Sequence, residues 1–284
     1  MGVSEEKCME IRMIATDMDG TLLDDEKNIP EENLAALAEC AARGLEIVPA
    51  TGRTMVGLPE EVKNLPGVRY AITVNGAVVM DLKENAVIST CRIGADLAVK
   101  LMELARDSQD DIMYDAYVDG LGYTTSTFYN NFDRYVSTPP LVQLLRKTRT
   151  VVDDNIDYVR TCKKEVDKIN MFFVDPEARE RMRKILEDMP EIIVTSAISS
   201  NLEINAKGAD KGGALLRLAE HLGIRREETM AFGDGGNDLT MIKEAGLGVA
   251  MENGYEYVKA AADHITVTNN EAGVAKAIRK FVLK

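Results

Sequence analysis

Two aspartates, Asp17 and Asp19, stand two residues apart at the end of an apolar run, in TDMDGTLLDD at 16–25. Further along, Asp234, Asn237 and Asp238 fall within GDGGND at 233–238. Lys211 lies in ADKGGAL, Thr51 to Arg53 in ATGR and Asn75 in VNG. Carboxylates gathered without histidine or cysteine make an oxygen-only donor set, which suits Mg2+. Mg2+ keeps several waters and commonly pairs with substrate phosphate. Thr51, Lys211 and the free N–H groups of helix starts are phosphate-type donors. The chain has two histidines, His221 in a helical segment and His264 leading a strand, and both read as structural. A carboxylate nucleophile, of the type that forms an aspartyl phosphate, is what remains.

These residues must be positioned by elements that the apolar pattern reveals. IRMIATDM at 11–18 is short, apolar and partly β-branched, as a buried strand is. Pro30 opens a helical pattern with Glu31 and Glu32 in its first turn and Gly44 at its stop. LEIVPAT at 45–51 reads as a second strand, a helical segment follows at Val56–Leu65, and VRYAITVN at 68–75 reads as a third strand. Alternating strand and helix predicts a parallel sheet with right-handed crossovers. The tail repeats the pattern: a helix over Asp210–Leu222, a strand over ETMAFGD, a helix over Asn237–Ala245, strands in LGVAM and HITVT, and a last helix from about Glu271. Ligands of open α/β sheets bind outside the carboxyl ends of the strands. Asp17, Thr51, Asn75 and Asp234 all stand at such ends, so they should share one rim.

The middle of the chain differs. NGAVVM and ENAVISTCRI suggest a hairpin, a helix spans about Ala95–Arg106, and DIMYDAYV and LGYTTS flank the turn Asp119-Gly120. INMFFVD, PEARERMRKILEDMP, EIIVTSA and NLEINA give strand, helix, strand, strand. The expected organisation is a doubly wound, Rossmann-like α/β core of 1–83 and 205–284, split by an α+β insert of 84–204. In that insert KKEVDK reads as a solvated face and Lys168 as a solvated lysine, with contact to a substrate anion as the alternative; near the start of the chain, Asp24 and Asp25 read as exposed turn residues.

Other chemistries fail on inspection. Leu22 and Asn28 occupy the glycine and glutamate places of an EF-hand loop begun at Asp17. GxxxxGK[ST] and G-x-S-x-G are absent, and GDGGND lacks the last glycine of a dinucleotide fingerprint. A formal net charge of −13 argues against nucleic-acid or anionic-membrane binding. Cys8, Cys40, Cys91 and Cys162 are far apart and read as free thiols of a reducing compartment. The acidic start MGVSEEKCME lacks a signal core and, with Glu6, the myristoylation pattern. A cytoplasmic protein is expected; oligomeric state is not legible.

With these motifs placed, the sequence resembles the haloacid dehalogenase (HAD) superfamily of phosphatases, and within it the Cof-type group with a large α+β cap. DMDGT at 17–21 is similar to the nucleophile motif, ATGR to the second motif by its threonine, Lys211 to the third, and GDGGNDLTMI at 233–242 to the acidic fourth. The resemblance implies that Asp17 attacks phosphorus and that Asp19 protonates the leaving oxygen and then activates water. It implies that Asp17, Asp234 and the Asp19 carbonyl hold Mg2+ with support from Asp238. Thr51, Gly52, Lys211, Asn237 and the Met18 backbone would hold phosphate oxygens, with Arg53 and Asn75 as further substrate contacts. The implied activity is hydrolysis of a small phosphorylated metabolite, a sugar phosphate first. A sugar phosphomutase of similar architecture and a non-enzymatic phosphoaspartate switch are the alternatives.

Overall fold

The computed structural model describes residues 10–196 and 198–283. Cys8, the acidic start and Ala197 of EIIVTSA therefore lie outside the described residues.

The chain begins with β1 (Met13–Thr16), a helix at Glu31–Ala42 and β2 (Glu46–Pro49). Next come β3 (Tyr70–Thr73), β4 (Val78–Asp81) and β5 (Ala86–Thr90). A second block holds β6 (Ile112–Val118), β7 (Leu121–Thr125), β8 (Arg149–Val152), β9 (Lys168–Phe173), β10 (Ile192–Thr195) and β11 (Asn201–Ala206). The chain then returns through a helix at Lys211–His221 to β12 (Thr229–Gly233), β13 (Leu247–Met251), β14 (His264–Thr266) and a helix at Gly273–Phe281.

The parallel sheet runs β14-β13-β12-β1-β2. Parallel bridges Ile47–Val68 and Ala50–Ile72 bring β3 alongside β2. Both faces of this sheet are covered, which explains an apolar run without alternation in β1. Met13 and Ala15 pack with Leu215 and Leu218 of the helix Lys211–His221. Ile14 packs on the other side with Leu37 and Ile278, from the first and last helices. Each such buried aliphatic side chain contributes about 1.5–3 kcal/mol.

The antiparallel sheet β10-β11-β9-β6-β7-β8 forms the second layer system. Ile112, Tyr114, Ile169, Met171, Leu202 and Ile204 alternate onto one face and pack with Leu101, Val159 and Met182. Between β7 and β9 the chain also forms helices Ser126–Asn130, Phe132–Tyr135, Pro139–Thr148 and Asn155–Cys162. β5 pairs with β4 rather than with this sheet, and β11 carries the sheet to Ala206.

Two local expectations need correction. The helical segment at Val56–Leu65 is a 3-10 turn, Met55–Gly57, and a short helix, Glu60–Lys63, because Pro59 withholds a backbone donor between them. KKEVDK is not a uniformly solvated face. Val166, Asp167 and Lys168 are buried, because strand pairing brings Lys168 opposite Tyr117 inside the sheet.

Candidate active site

The parallel register fixes the site. β1 lies between β2 and β12, with Thr16 paired to Phe232 and to Pro49. The Asp17 N–H continues the ladder by donating to the Phe232 carbonyl at 3.0 Å. The chain ends that carry Asp17, Thr51 and Asp234 are thus adjacent at one edge. Asp210 caps the next helix by accepting from the Gly213 N–H, which puts Lys211 in the first turn. A cation there opposes the helix dipole, and its partners supply the compensation.

Lys211 is completely buried, and its Nζ donates to Asp17 Oδ1 at 2.5 Å and to Asp238 Oδ1 at 2.6 Å. The other Asp238 oxygen accepts from the N–H groups of Asp234 and Gly235. Asp238 is therefore a buttress that ties Lys211 to the 233–238 turn. Asp234 Oδ1 accepts from the Thr21 hydroxyl at 2.8 Å. Gly20 makes this approach possible. Its φ is +87°, and a Cβ there would stand 2.6 Å from Asp234 Oδ2.

Ligand atoms of Asp17, Asp234 and Asp238 lie within 4.8 Å of one another. Burial pushes the Asp17 carboxyl well above its usual range; Asp238 and Asp234 add to this and Lys211 opposes it. Burial, then Asp238, pushes Asp234 up to about 6. Lys211 in turn is raised, as Asp17 and Asp238 outweigh its own burial. Three carboxylates thus face one cation, all donors are oxygens, and Lys211 and Thr21 engage one oxygen each of Asp17 and Asp234. That excess of negative charge and that donor chemistry fit a hard dication such as Mg2+.

Asp19 stands apart from this cluster. Arg53 grips its carboxylate with Nε at 2.9 Å and Nη2 at 2.7 Å, and Lys27 approaches at 3.0 Å. Burial raises the Asp19 pKa, but Arg53 and then Lys27 outweigh it, and the carboxyl is held below its usual range. Arg53, expected from the resemblance to contact substrate, here engages the partner carboxylate of the DxD pair.

The remaining site residues form the wall. The Thr51 Oγ1 accepts from the Arg53 N–H at 3.1 Å. Met18 places its side chain in the core, and its carbonyl accepts from the Thr21 and Leu23 N–H groups. Asn75 is buried in the left-handed region, φ 55°, next to Val74 at φ 52°. Two such non-glycine residues in succession are strained, as is common at functional sites. Asn75 Oδ1 accepts from Asn237 at 3.0 Å, and its Nδ2 donates to Glu203 at 2.7 Å. Asp25 is exposed and accepts from Asn269 and Asn270, whereas Asp24, expected to be exposed, is half-buried and accepts from the Asn28 N–H at 2.8 Å.

Glu203 belongs to this wall and was missed by sequence reasoning; Lys168, for which contact with a substrate anion was only the alternative reading, belongs to it as well. Lys168 is only 3% exposed; its Nζ donates to Glu203 at 2.7 Å and to the Gly52 carbonyl at 3.2 Å. A signal for them did exist: Asn201, Glu203 and Asn205 alternate with apolar residues, a polar stripe of period two on β11.

Known proteins resemble this chain over nearly its whole length. A model of the haloacid dehalogenase-like hydrolases matches residues 14–278. A 5-amino-6-(5-phospho-D-ribitylamino)uracil phosphatase of Bacillus subtilis is 34% identical over 283 residues, covering 100% of both chains. A haloacid dehalogenase-like hydrolase structure from B. subtilis superposes with a TM-score of 0.81 at 28% identity, covering 96% of this chain and 100% of that one. A HAD subclass IIB sugar phosphatase superposes with a TM-score of 0.78 at 27% identity, covering 96% and 100%.

Proposed function

Because the chain belongs to the haloacid dehalogenase-like hydrolases and is a phosphatase of their Cof type, we propose that it hydrolyses a small phosphorylated metabolite, a sugar phosphate first, through an aspartyl phosphate on Asp17 with Mg2+ as cofactor. The observation that carries this reading is the buried Asp17–Lys211–Asp238 triad with Asp234 beside it at the strand ends. Asp17 is the nucleophile, and Lys211 fixes its orientation and offsets repulsion between a carboxylate and a phosphate dianion. Asp19, at the rim two residues on, serves as acid toward the leaving oxygen once bound substrate displaces the Arg53 and Lys27 contacts that keep it ionised, and then as base toward water. Thr51, Gly52 and Asn237 bind phosphate oxygens, and Arg53 and Asn75 line the same wall. Mg2+, held by Asp17, the Asp19 carbonyl and Asp234 with Asp238 in support, would supply charge neutralisation at the phosphoryl oxygens. The six-stranded sheet and its helices act as the cap over the remaining core, with the chain divided near 84 and 204. The reading includes a cytoplasmic location, which the free thiols Cys40, Cys91 and Cys162 support.

The test is hydrolysis of p-nitrophenyl phosphate with Mg2+ and with EDTA. Turnover that requires Mg2+ and disappears in Asp17→Asn is expected. Turnover that survives in Asp17→Asn assigns the wrong nucleophile.

A further inference from the structure

Three consecutive residues just after β3 carry positive φ: Val74 at 52°, Asn75 at 55° and Gly76 at 98°. A β-branched residue in that region is an outlier, and such strain persists only where the surroundings over-determine it. Here the surroundings belong to the site. The Val74 and Asn75 N–H groups donate to the carbonyls of Arg53 and Thr51, at 2.9 and 3.0 Å. Asn205 of β11 donates to the Val74 carbonyl at 3.4 Å, and Asn75 bonds Asn237 and Glu203. Gly76 lies against the start of the helix that carries Lys211, where a Cβ would stand 2.2 Å from the Asp210 carbonyl oxygen.

One side chain outside the site closes this arrangement. Arg217 lies further along the same helix as Lys211 and is half-buried. Its Nη2 donates to the Gly76 carbonyl at 2.9 Å, its Nη1 to the Gly208 carbonyl at 3.3 Å and its Nε to the Ser89 hydroxyl at 3.4 Å. Ser89 belongs to β5, just before the chain passes to the six-stranded sheet, and Gly208 stands just after its return at Ala206. A single guanidinium thus fastens the strained turn and both crossings to one helix. Its donors form a fixed planar fork that serves several acceptors at once, whereas a lysine ammonium on a flexible stem is a compact point charge.

We infer that Arg217 is a positioning residue for the phosphate rim: it sets the 74–76 turn and, through that turn, the placement of Asn75 against Asn237, without touching substrate. The same grip ties both crossings to the helix of Lys211, so the rim and the six-stranded sheet share one anchor. The inference rests on the phosphatase reading, in which Asn75 and Asn237 belong to the phosphate wall.

The test is a double-mutant cycle between Arg217→Met and Asn75→Gly; the glycine deletes the amide and suits the positive φ. In the presence of Mg2+, kcat/KM for p-nitrophenyl phosphate, the inhibition constant of inorganic phosphate and the melting temperature are measured. Arg217→Met is expected to lower kcat/KM about tenfold and to weaken phosphate inhibition when Asn75 is present, and to change either by less than about twofold in the Asn75→Gly background. A residue that only supports the fold lowers the melting temperature and adds the same loss in both backgrounds. Arg217→Lys, which keeps one donor at a time, should lose less than Arg217→Met, and it carries the cycle if the methionine variant does not fold. Equal losses in the two backgrounds, or kcat/KM and phosphate inhibition unchanged in Arg217→Met, overturn the assignment. Wild-type protein that does not hydrolyse the ester overturns the phosphatase reading beneath it instead.

Discussion

Replacing Lys211 with methionine keeps the length of the side chain and removes the one cation that bonds both Asp17 and Asp238. Both carboxylates stay buried. Breaking a buried ion pair by removing one partner costs about 3–5 kcal/mol, because the other charge is left unpaired. At about 2.1 cal/mol/K per residue, a chain of 284 residues has an unfolding entropy of about 0.6 kcal/mol/K. The loss therefore corresponds to a melting temperature lower by about 5–8 °C, read by calorimetry in EDTA at pH 7.5. The deficit must depend on pH. Asp17 already has a raised pKa, and without Lys211 it rises further. The native variant then holds a proton that the unfolded chain has lost, so its deficit shrinks on acidification and grows toward pH 8. Turnover of p-nitrophenyl phosphate should fall at least about a hundredfold, the scale of losing one preorganised electrostatic contact. A variant as stable as wild type in EDTA at pH 7.5, or a deficit that is the same at pH 5 and pH 8, refutes this account of the triad.

Asp234 supplies a second titration. Its carboxyl is raised from 3.8 to about 6, so the native state binds more protons than the unfolded chain across that window. Stability of metal-free wild type relative to Asp234→Asn should fall by up to about 3 kcal/mol as pH rises from 4 to 6.5, with Mg2+ restoring it at pH 7.5; urea melts giving a flat difference would contradict the shift. Gly20→Ala puts a Cβ against Asp234 at a positive φ, so it should cost more than about 1 kcal/mol and weaken Mg2+ binding, both absent if the turn simply relaxes. Arg53→Met removes the guanidinium that holds Asp19 down. The Asp19 pKa, followed by carboxyl-carbon NMR, should then move up; an unmoved value means that the Arg53 grip does not persist in solution.

The parallel core was legible because its strands are buried on both sides, and so read as uninterrupted apolar runs such as MIAT and TMAFG. The rim followed from it, since strand ends alone place Asp17 beside Asp234. What could not be read is what depends on contacts distant in sequence. Lys168 carries no local sign that 35 positions on Glu203 will bury it. Arg53 resembles any surface arginine until the turn after β1 presents Asp19 to it. The helices between β7 and β9 escaped because they are short; only Pro139–Thr148 reaches ten residues, too little for a helical period to stand out.

The central place of β1 has a consequence for the growing chain. One of its edges stays unpaired until β12 exists, and 216 positions separate Thr16 from its partner Phe232. At about 5–20 residues per second on the ribosome, that interval lasts about 10–40 s. Throughout it the apolar MIAT strand offers free N–H and C=O groups to any passing strand. Premature termination or a slow codon stretch before β12 should therefore expose an aggregation template, and the demand for a chaperone falls on the ribosome-bound chain rather than on the finished enzyme.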